Sequence, residues 1–293
     1  MSIKVAIIAP GQMGAAVAAR LGENGIDVLT TLEGRSQASR ERARKAGMRD
    51  VGGDELLRTD ILLSILPPKD AVALAENLAP RIAALGSRPL YVDCNAVSPK
   101  TATRIGAIIA RSGAPFVDAG IIGGPPRPGN DGPTFYASGE QAKKLAQLID
   151  YGLTIRLLDA PVGAASALKM SYAGITKGLT GIAAAMMLGA RRAGVGEALM
   201  SELRESQSAL AARFVRGMPD MYPKAYRWVA EMEEIAAFLG EDEAAASVYE
   251  GFARLFERLA EDFATGRRET GALDAVLDAY TCHGRPSGGH PGR

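Results

Sequence analysis

One charge interrupts the segment Val162-Gly163-Ala164-Ala165-Ser166-Ala167-Leu168-Lys169-Met170-Ser171-Tyr172, and it belongs to Lys169. The surroundings are apolar and Ala-rich. Keeping an ammonium charged there is costly, so its pKa is expected to fall toward neutrality. A lysine so tuned can give a proton to a carbonyl oxygen or take one from a hydroxyl. Lys177, eight residues on and on roughly the same helical face, competes for the role. Histidine does not compete. His283 and His290 both sit in the Gly/Pro/Arg-rich terminal segment Thr281 to Arg293, which reads as a disordered tail. Ser-His-Asp hydrolysis and His-based metal sites lose their support, and no metal is expected.

Glycine-bearing turns supply the rest of the chemistry. The apolar run Val5-Ala6-Ile7-Ile8 ends in Ala9-Pro10-Gly11-Gln12-Met13-Gly14 and passes at once into an Ala-rich helical segment from Ala15 to Leu21. Such a strand–turn–helix suits a dinucleotide. Glycine lets the backbone close on a pyrophosphate, and the helix N-terminus offers N–H groups to its charge. Gly11 and Gly14 hold two positions of G-x-G-x-x-G, with Gln12 and Met13 between them, and Ala9 stands at the first. A plain strand-to-helix turn is the competing reading.

The cofactor's 2′ position is read at the end of the second strand, where an acid favours NAD and basic or hydroxyl groups favour NADP. There Val28-Leu29-Thr30-Thr31-Leu32 runs into Glu33-Gly34-Arg35-Ser36, with Arg40 one helical turn beyond. Arg35, Ser36 and Arg40 together suit a phosphate, while Glu33 pulls the other way. NADP is the expected cofactor and NAD the second choice. Arg40, Arg42, Arg44 and Lys45 also read as a solvated basic helix face.

Two more loops follow strand ends, where α/β folds place ligands. Leu66-Pro67-Pro68 is expected to line the cofactor, and Asn95 to offer amide donors and an acceptor to a nicotinamide ribose or to substrate. Ser98-Pro99 reads equally well as a helix cap. In Asp118-Ala119-Gly120-Ile121-Ile122-Gly123-Gly124-Pro125-Pro126, paired glycines before prolines expose backbone N–H groups suited to a carboxylate. Ile122, Gly123 and Gly124, with Asn95 and Tyr172, are the expected substrate contacts.

The elements that must carry these residues alternate in the first half. Candidate strands are Val5–Ile8, Asp27–Thr31, Ile61–Ile65, Leu90–Asp93, Phe116–Asp118, Thr134–Ala137 and Ile155–Leu158, with helical patterns at Ser39–Ala46, Ala71–Leu85 and Thr101–Arg111. That rhythm predicts an α/β Rossmann-type doubly wound sheet followed by an all-α C-terminal domain. The domains fall at 1–160, dinucleotide-binding; 161–280, all-helical, for substrate and dimerisation; and 281–293, the tail. The second opens with an Ala-rich helix from Ala164 to Ala193, interrupted by Gly174, Gly178, Gly181 and Gly189. Such a helix suits a homodimer surface or a buried central position equally.

Composition sets the limits. The chain has 34 Lys and Arg against 33 Asp and Glu, so nothing points to nucleic acid or an anionic membrane surface. No basic-then-apolar leader is apparent, and no apolar run is expected to reach transmembrane length. Two cysteines, Cys94 and Cys282, read as unpaired thiols of a reducing, cytoplasmic compartment.

Together these residues resemble the β-hydroxyacid dehydrogenase branch of the 6-phosphogluconate dehydrogenase-like family, from Val5 to about Leu277. The resemblance implies an NAD- or NADP-dependent oxidoreductase without metal, often dimeric through the long helix, acting on a hydroxyl or carbonyl near a carboxylate. The family's Gly-rich turn falls on Ala9, Gly11 and Gly14, its Ser-Gly-Gly substrate element on Ile122-Gly123-Gly124, and its catalytic lysine on Lys169. Three departures imply a less polar or bulkier substrate. Ile122 replaces the serine, Ala173 replaces an asparagine four residues after the lysine, and Glu231-Met232-Glu233 replaces a Lys-Asp segment. Tyr172, Tyr222, Tyr226 and Trp228 point the same way unless they are ordinary core residues. Imine reduction on the same scaffold and a non-catalytic NADP-binding sensor are the alternatives.

Overall fold

Three four-residue strands are buried at every residue: β1 (Val5–Ile8), β4 (Ile61–Ser64) and β5 (Leu90–Asp93). Burial on both faces is what a parallel strand covered by helices requires, and it explains runs such as Val-Ala-Ile-Ile. In the computed structural model of the chain, which describes residues 3–127 and 129–282, these strands form the centre of an eight-stranded sheet. The others are β2 (Val28–Thr30), β3 (Arg49–Asp50), β6 (Phe116–Ile122), β7 (Thr134–Ser138) and β8 (Thr154–Leu157). Their order is β3-β2-β1-β4-β5-β6-β7-β8, and the first six are parallel. β7 turns back antiparallel to β6, and β8 pairs parallel to β7. The order 3-2-1-4-5-6 is that of a dinucleotide-binding sheet.

One face of the sheet packs on α1 (Gln12–Glu23) and α2 (Gln37–Lys45) through Val17, Leu21 and Ala43, joined by Leu145 and Leu148 of a 3₁₀ segment (Ala142–Tyr151). The other packs on α3 (Gly53–Leu56), α4 (Pro68–Leu85) and α5 (Pro99–Ala110) through Leu56, Leu78, Ile82 and Ile105. Ser98 does cap α5, accepting from the Thr101 N–H at 3.3 Å. Two differences from the sequence reading have simple causes. β3 is only two exposed charged residues, recognisable solely by its pairing with β2. β6 runs on to Ile122 because β7 supplies a partner for a stretch that otherwise reads as a glycine loop.

The long helix α6 (Ala164–Arg192) has an 18-residue window with mean hydropathy 1.2, enough by length and composition to cross a membrane, contrary to expectation. Its ends and faces mark it instead as a helix of a folded chain. Its first turn is capped by strand side chains, described below, and Gly174, Gly178 and Gly181 are packing sites. A Cβ on Gly181 would stand 2.7 Å from the Phe252 ring, and one on Gly174 3.1 Å from the Tyr249 hydroxyl. The chain divides into two compact units between Tyr172 and Ala173, inside α6, rather than at the expected boundary near Ala160. The first turns of the helix belong with the sheet.

The second unit is helical throughout its described residues: α7 (Gly196–Ser206), α8 (Ser208–Met221), α9 (Ala225–Phe238), α10 (Glu243–Thr265) and α11 (Arg268–Cys282) follow the remainder of α6. His283, His290 and most of the expected tail lie outside the described residues. Within this unit Lys177 forms an ion pair with Glu231, with side-chain exposures of only 17% and 16%, and its ammonium lies 4.9 Å from the Trp228 ring centroid. Trp228 in turn meets Phe256 edge-on at 5.1 Å. Tyr222 is buried and donates to Asp274 at 3.0 Å, whereas Tyr226 is exposed. Tyr222 is thus an interior residue of this unit, and the half-buried Trp228 packs on Phe256 and Lys177.

Removing one partner of a shielded ion pair costs more than the pair contributes, because the other charge is stranded. Glu231→Ala is expected to lower stability by about 2–3 kcal/mol. Lys177→Met combined with Glu231→Leu should recover most of that loss. Urea unfolding followed by the fluorescence of the sole tryptophan, Trp228, measures both.

Candidate active site

The register of the sheet sets out the site. Ile8 pairs with Ser64, Ser64 with Asp93, Asp93 with Asp118, and Asp118 with Ser138. This row marks the C-terminal ends of β1, β4 and β5. Just beyond it the chain leaves the sheet as Ala9-Pro10-Gly11, Ile65-Leu66-Pro67 and Cys94-Asn95. Ligands of doubly wound sheets bind outside the strands' carboxyl ends where the order reverses, here between β1 and β4. The sequence-predicted residues gather along this rim.

At the first turn the two glycines do different work. A Cβ on Gly14 would collide with the Ala9 carbonyl oxygen and lie 3.3 Å from Ile7 Cγ2, so Gly14 lets α1 press against the end of β1. A Cβ on Gly11 would meet nothing within 4 Å. Its lack of a side chain leaves open space at the helix N-terminus. Gly11 is also the N-cap of α1, where no side chain caps the helix and no first-turn residue is acidic. An uncapped helix N-terminus behind an open glycine fits a pyrophosphate, with Gln12 and Met13 opening the helix behind it. Ala9 donates to Ile65 O at 3.1 Å, which fastens the turn to the loop carrying Leu66 and Pro67.

Asn95 behaves differently from expectation. It is buried, its amide nitrogen donates to Ser64 Oγ at 2.9 Å and to Asp93 Oδ1, and its Oδ1 accepts from the Leu66 N–H at 2.7 Å. Both amide hydrogens, expected to reach ribose or substrate, are used inside the fold. Asn95 ties the β5 end to the Leu66 loop. Cys94 beside it is a buried free thiol whose pKa is pushed well up by burial and by the nearby Asp93 and Asp118 carboxylates. It stays protonated and unreactive.

Where the sequence places the 2′ contacts, Ser36 caps α2, accepting from the Ser39 N–H at 3.3 Å. Arg40 is exposed and donates to the Arg35 carbonyl at 3.1 Å. Arg40 also lines an open depression with Glu33, Thr31 and Asp50. Arg44 is solvated and paired to Glu41, as a helix-face reading would have it. Arg42 is not. It is half-buried and joins the first turn to its own helix, donating to Pro10 O at 3.0 Å and to Ser39 Oγ at 2.9 Å.

Lys169 reaches the rim through β6. Strand alternation puts Asp118, Gly120 and Ile122 on one face. A Cβ on Gly120 would stand 2.7 Å from the Ala165 carbonyl oxygen and 3.0 Å from Lys169 Cβ, so α6 lies directly on the strand backbone there. Asp118 is buried and accepts four hydrogen bonds. Gly163 N and Ser166 N donate to Oδ2 at 2.9 and 3.1 Å, Ser138 Oγ to Oδ2 at 3.0 Å, and Ser166 Oγ to Oδ1 at 2.6 Å. Ser138 Oγ accepts from Ala165 N at 3.0 Å. Strand residues far away in sequence therefore cap α6, and no local motif could have announced them. Lys169 itself is half-buried, and Tyr172, three residues on, is exposed. Past Ile122, Gly123 adopts φ +124°, and a Cβ there would lie 2.9 Å from Pro133 Cα. Gly124 faces open space. The competing lysine, Lys177, is held by Glu231 in the other unit. Among the described residues no cluster of His, Cys, Asp or Glu could hold a metal ion.

Comparison with known proteins agrees with this architecture. Residues 4–150 match the NAD binding domain of 6-phosphogluconate dehydrogenase, and residues 190–259 match a domain of unknown function, DUF1932. The chain belongs to the β-hydroxyacid dehydrogenase-like family of NAD(P)-binding proteins. An uncharacterised 28.5 kDa protein of Methanothermus fervidus is 30% identical over 184 residues, covering 62% of this chain and 69% of that protein. A solved conserved protein of unknown function, described as structurally similar to 3-hydroxyacid dehydrogenases, is 26% identical with TM-score 0.67, covering 92% of this chain and 99% of its own. The 3-hydroxyisobutyrate dehydrogenase of Mycobacterium tuberculosis, solved with L-serine, shares the fold at TM-score 0.71 and 17% identity, over 94% and 99% of the two chains. As a β-hydroxyacid dehydrogenase-like chain, the protein has the build of an NAD(P)-dependent oxidoreductase.

The division of labour at the first turn is testable. Gly14→Ala should lower stability by about 1–3 kcal/mol through its clash with Ala9. Gly11→Ala should change stability by less than about 0.5 kcal/mol yet weaken NADPH binding, because its methyl enters the ligand's space. Thermal unfolding and fluorescence titration with NADPH separate the two.

Proposed function

We propose that this β-hydroxyacid dehydrogenase-like chain is an NADP-preferring oxidoreductase acting on a carbonyl or hydroxyl carbon, with Lys169 as its proton carrier. The observation that carries the reading is the close seat of Lys169 on β6 at Gly120, on the strand rim that also bears the dinucleotide turn. Gly11, Gln12, Met13 and Gly14 would hold the pyrophosphate, and Arg35, Ser36 and Arg40 the 2′-phosphate. A guanidinium matches phosphate oxygens in pairs, and the α2 N-terminus adds favourable polarity. Bound dinucleotide supplies or accepts the hydride.

The chain's residues do the rest. In reduction Lys169 gives its proton to the oxygen as negative charge builds there, and in oxidation it takes the hydroxyl proton. The Gly123 and Gly124 backbone would receive a carboxylate or another oxyanion of the substrate. Ile122 on the same strand face, with Tyr172 near the lysine, favours a less polar or bulkier substrate than a small hydroxyacid. Asn95 acts by holding the Leu66 loop. The exposed stripe Tyr172 (49%), Ile175 (65%), Ile182 (52%) and Met186 (61%) along α6 supports self-association as a homodimer. Imine reduction is the weaker reading, and an NADPH sensor would have no need of Lys169.

Lys169→Ala is expected to lower turnover by roughly two to four orders of magnitude with NADPH affinity nearly unchanged. A panel of ketones, aldehydes, hydroxyacids and cyclic imines, assayed with NADPH or NADP, reads it. Full turnover in the variant would remove the lysine from the mechanism. In separate titrations, NADPH should bind more tightly than NADH. Arg35→Ala should weaken NADPH by roughly tenfold and leave NADH alone. A wild-type preference for NADH would assign the 2′ position to Glu33.

A further inference from the structure

We propose that Asp118 is a positioning residue for Lys169, setting the lysine's place by anchoring the first turn of α6 to β6. The inference rests on the reading of Lys169 as proton carrier only for its catalytic consequence. The anchoring itself stands on geometry.

An α-helix begins with N–H groups that have no partner inside it. At the start of α6 these are met from the sheet. Ser166 N bonds to Asp118 Oδ2, Ala165 N bonds to Ser138 Oγ, and the Ser138 hydroxyl passes its own hydrogen to Asp118 Oδ2. The Ser166 hydroxyl closes on the other carboxylate oxygen at 2.6 Å. Gly163 N, just before the helix, adds another bond at 2.9 Å. Asp118 and Ser138 are directly opposite in the β6–β7 pairing, so the clamp is built on paired strands rather than on a loop.

Only a carboxylate accepts on both oxygens with no hydrogen of its own, and its charge is favoured at a helix N-terminus. Lys169 follows Ser166 by less than one helical turn, about 4.5 Å along the axis. No flexible link separates clamp and lysine. Gly120, two residues beyond Asp118 on the same strand face, removes the side chain that would hold the helix off. Clamp and gap together determine how deep Lys169 Cβ sits. Misplacing a catalytic group by about 1 Å can cost on the order of a hundredfold in rate.

Asp118→Asn keeps the shape, loses the charge and one acceptor, and is the first test. The full-length protein is reductively methylated with ¹³C-formaldehyde, and the Lys169 dimethylamine signal is identified by its absence in Lys169→Arg. In Asp118→Asn that signal should move while the Lys177 signal, held by Glu231, stays. Turnover of whichever panel compound the wild type converts should fall about tenfold or more, with KM for NADPH within about twofold. Ser138→Ala, which removes the bonds to Asp118 and Ala165 N but leaves the carboxylate its other three donors, should do the same to a smaller degree, and it decides the question if Asp118→Asn does not fold. An unmoved Lys169 signal with unchanged turnover in a folded variant overturns the proposal. A moved signal in a protein whose Lys169→Ala variant retains full turnover leaves the anchoring intact and overturns only the proton-carrier reading.

Discussion

A carboxylate at the bottom of a folded domain is an expensive object, costing several kcal/mol to strip of water unless its oxygens find donors. Asp118 finds four, and all but the Ser138 hydroxyl come from the start of α6 or the residue just before it. The same bonds that satisfy the charge also satisfy the helix end. Neither strand nor helix is a tolerable arrangement alone, since one would bury a bare charge and the other bare N–H groups. The contact couples a strand to a helix some 45 residues later in the chain, with Asp118 and Gly163 as its two ends. The lysine, the exposed stripe and the entry into the second unit all take their origin from that joint.

Asp118 is one member of a buried polar row. Ser64, Asp93, Asp118 and Ser138 are neighbours across four strands and are all close to fully buried. Polar side chains in a sheet interior are tolerated when they bond one another or the backbone just beyond the strand ends. Here they bond Asn95, and through it the Leu66 loop, at one end of the row, and α6 at the other. The first turn is fastened separately, through Ala9 and Ile65. The Leu66 loop and the helix that carries the lysine are therefore set by a common buried row. Catalytic groups held by packed strands keep their geometry better than groups on free loops.

Sequence made the fold class readable because the signals were local. Continuous apolar runs gave β1, β4 and β5 nearly to the residue, since burial on both faces leaves no other pattern. The glycine turn after β1 and the lone lysine in an apolar helix were equally local. What escaped notice was tertiary. β3 has no apolar residue to betray it, and the second half of β6 was disguised by Gly120, which is there to admit α6. Asn95 looked like a ligand contact because its bonding partners, Ser64 and Leu66, are distant in the chain. The unit boundary was set early for the same reason. Asp159-Ala160-Pro161 ends the strand pattern, but the clamp on Asp118 draws the following helix turns into the first unit. The glycines of α6 were visible as interruptions, and only the aromatic rings of Tyr249 and Phe252 reveal what Gly174, Gly178 and Gly181 make room for.

Arg42 has a consequence for how such a chain can change over time. By bonding both Pro10 O and Ser39 Oγ, it makes the phosphate turn and the start of α2 one mechanical piece. Arg40 stands outside that brace, exposed at the rim, and Arg35 is only half-buried, while Ser36 is exposed but bonded to Ser39. Replacing exposed residues ordinarily disturbs stability little. On the proposed reading of Arg35 and Arg40 as contacts to the 2′ group, coenzyme choice is separable from coenzyme grip: the adenosine end would drift between phosphate and hydroxyl recognition while the brace keeps the first turn in place. A lineage built this way can change the redox pool it draws on without first rebuilding its fold.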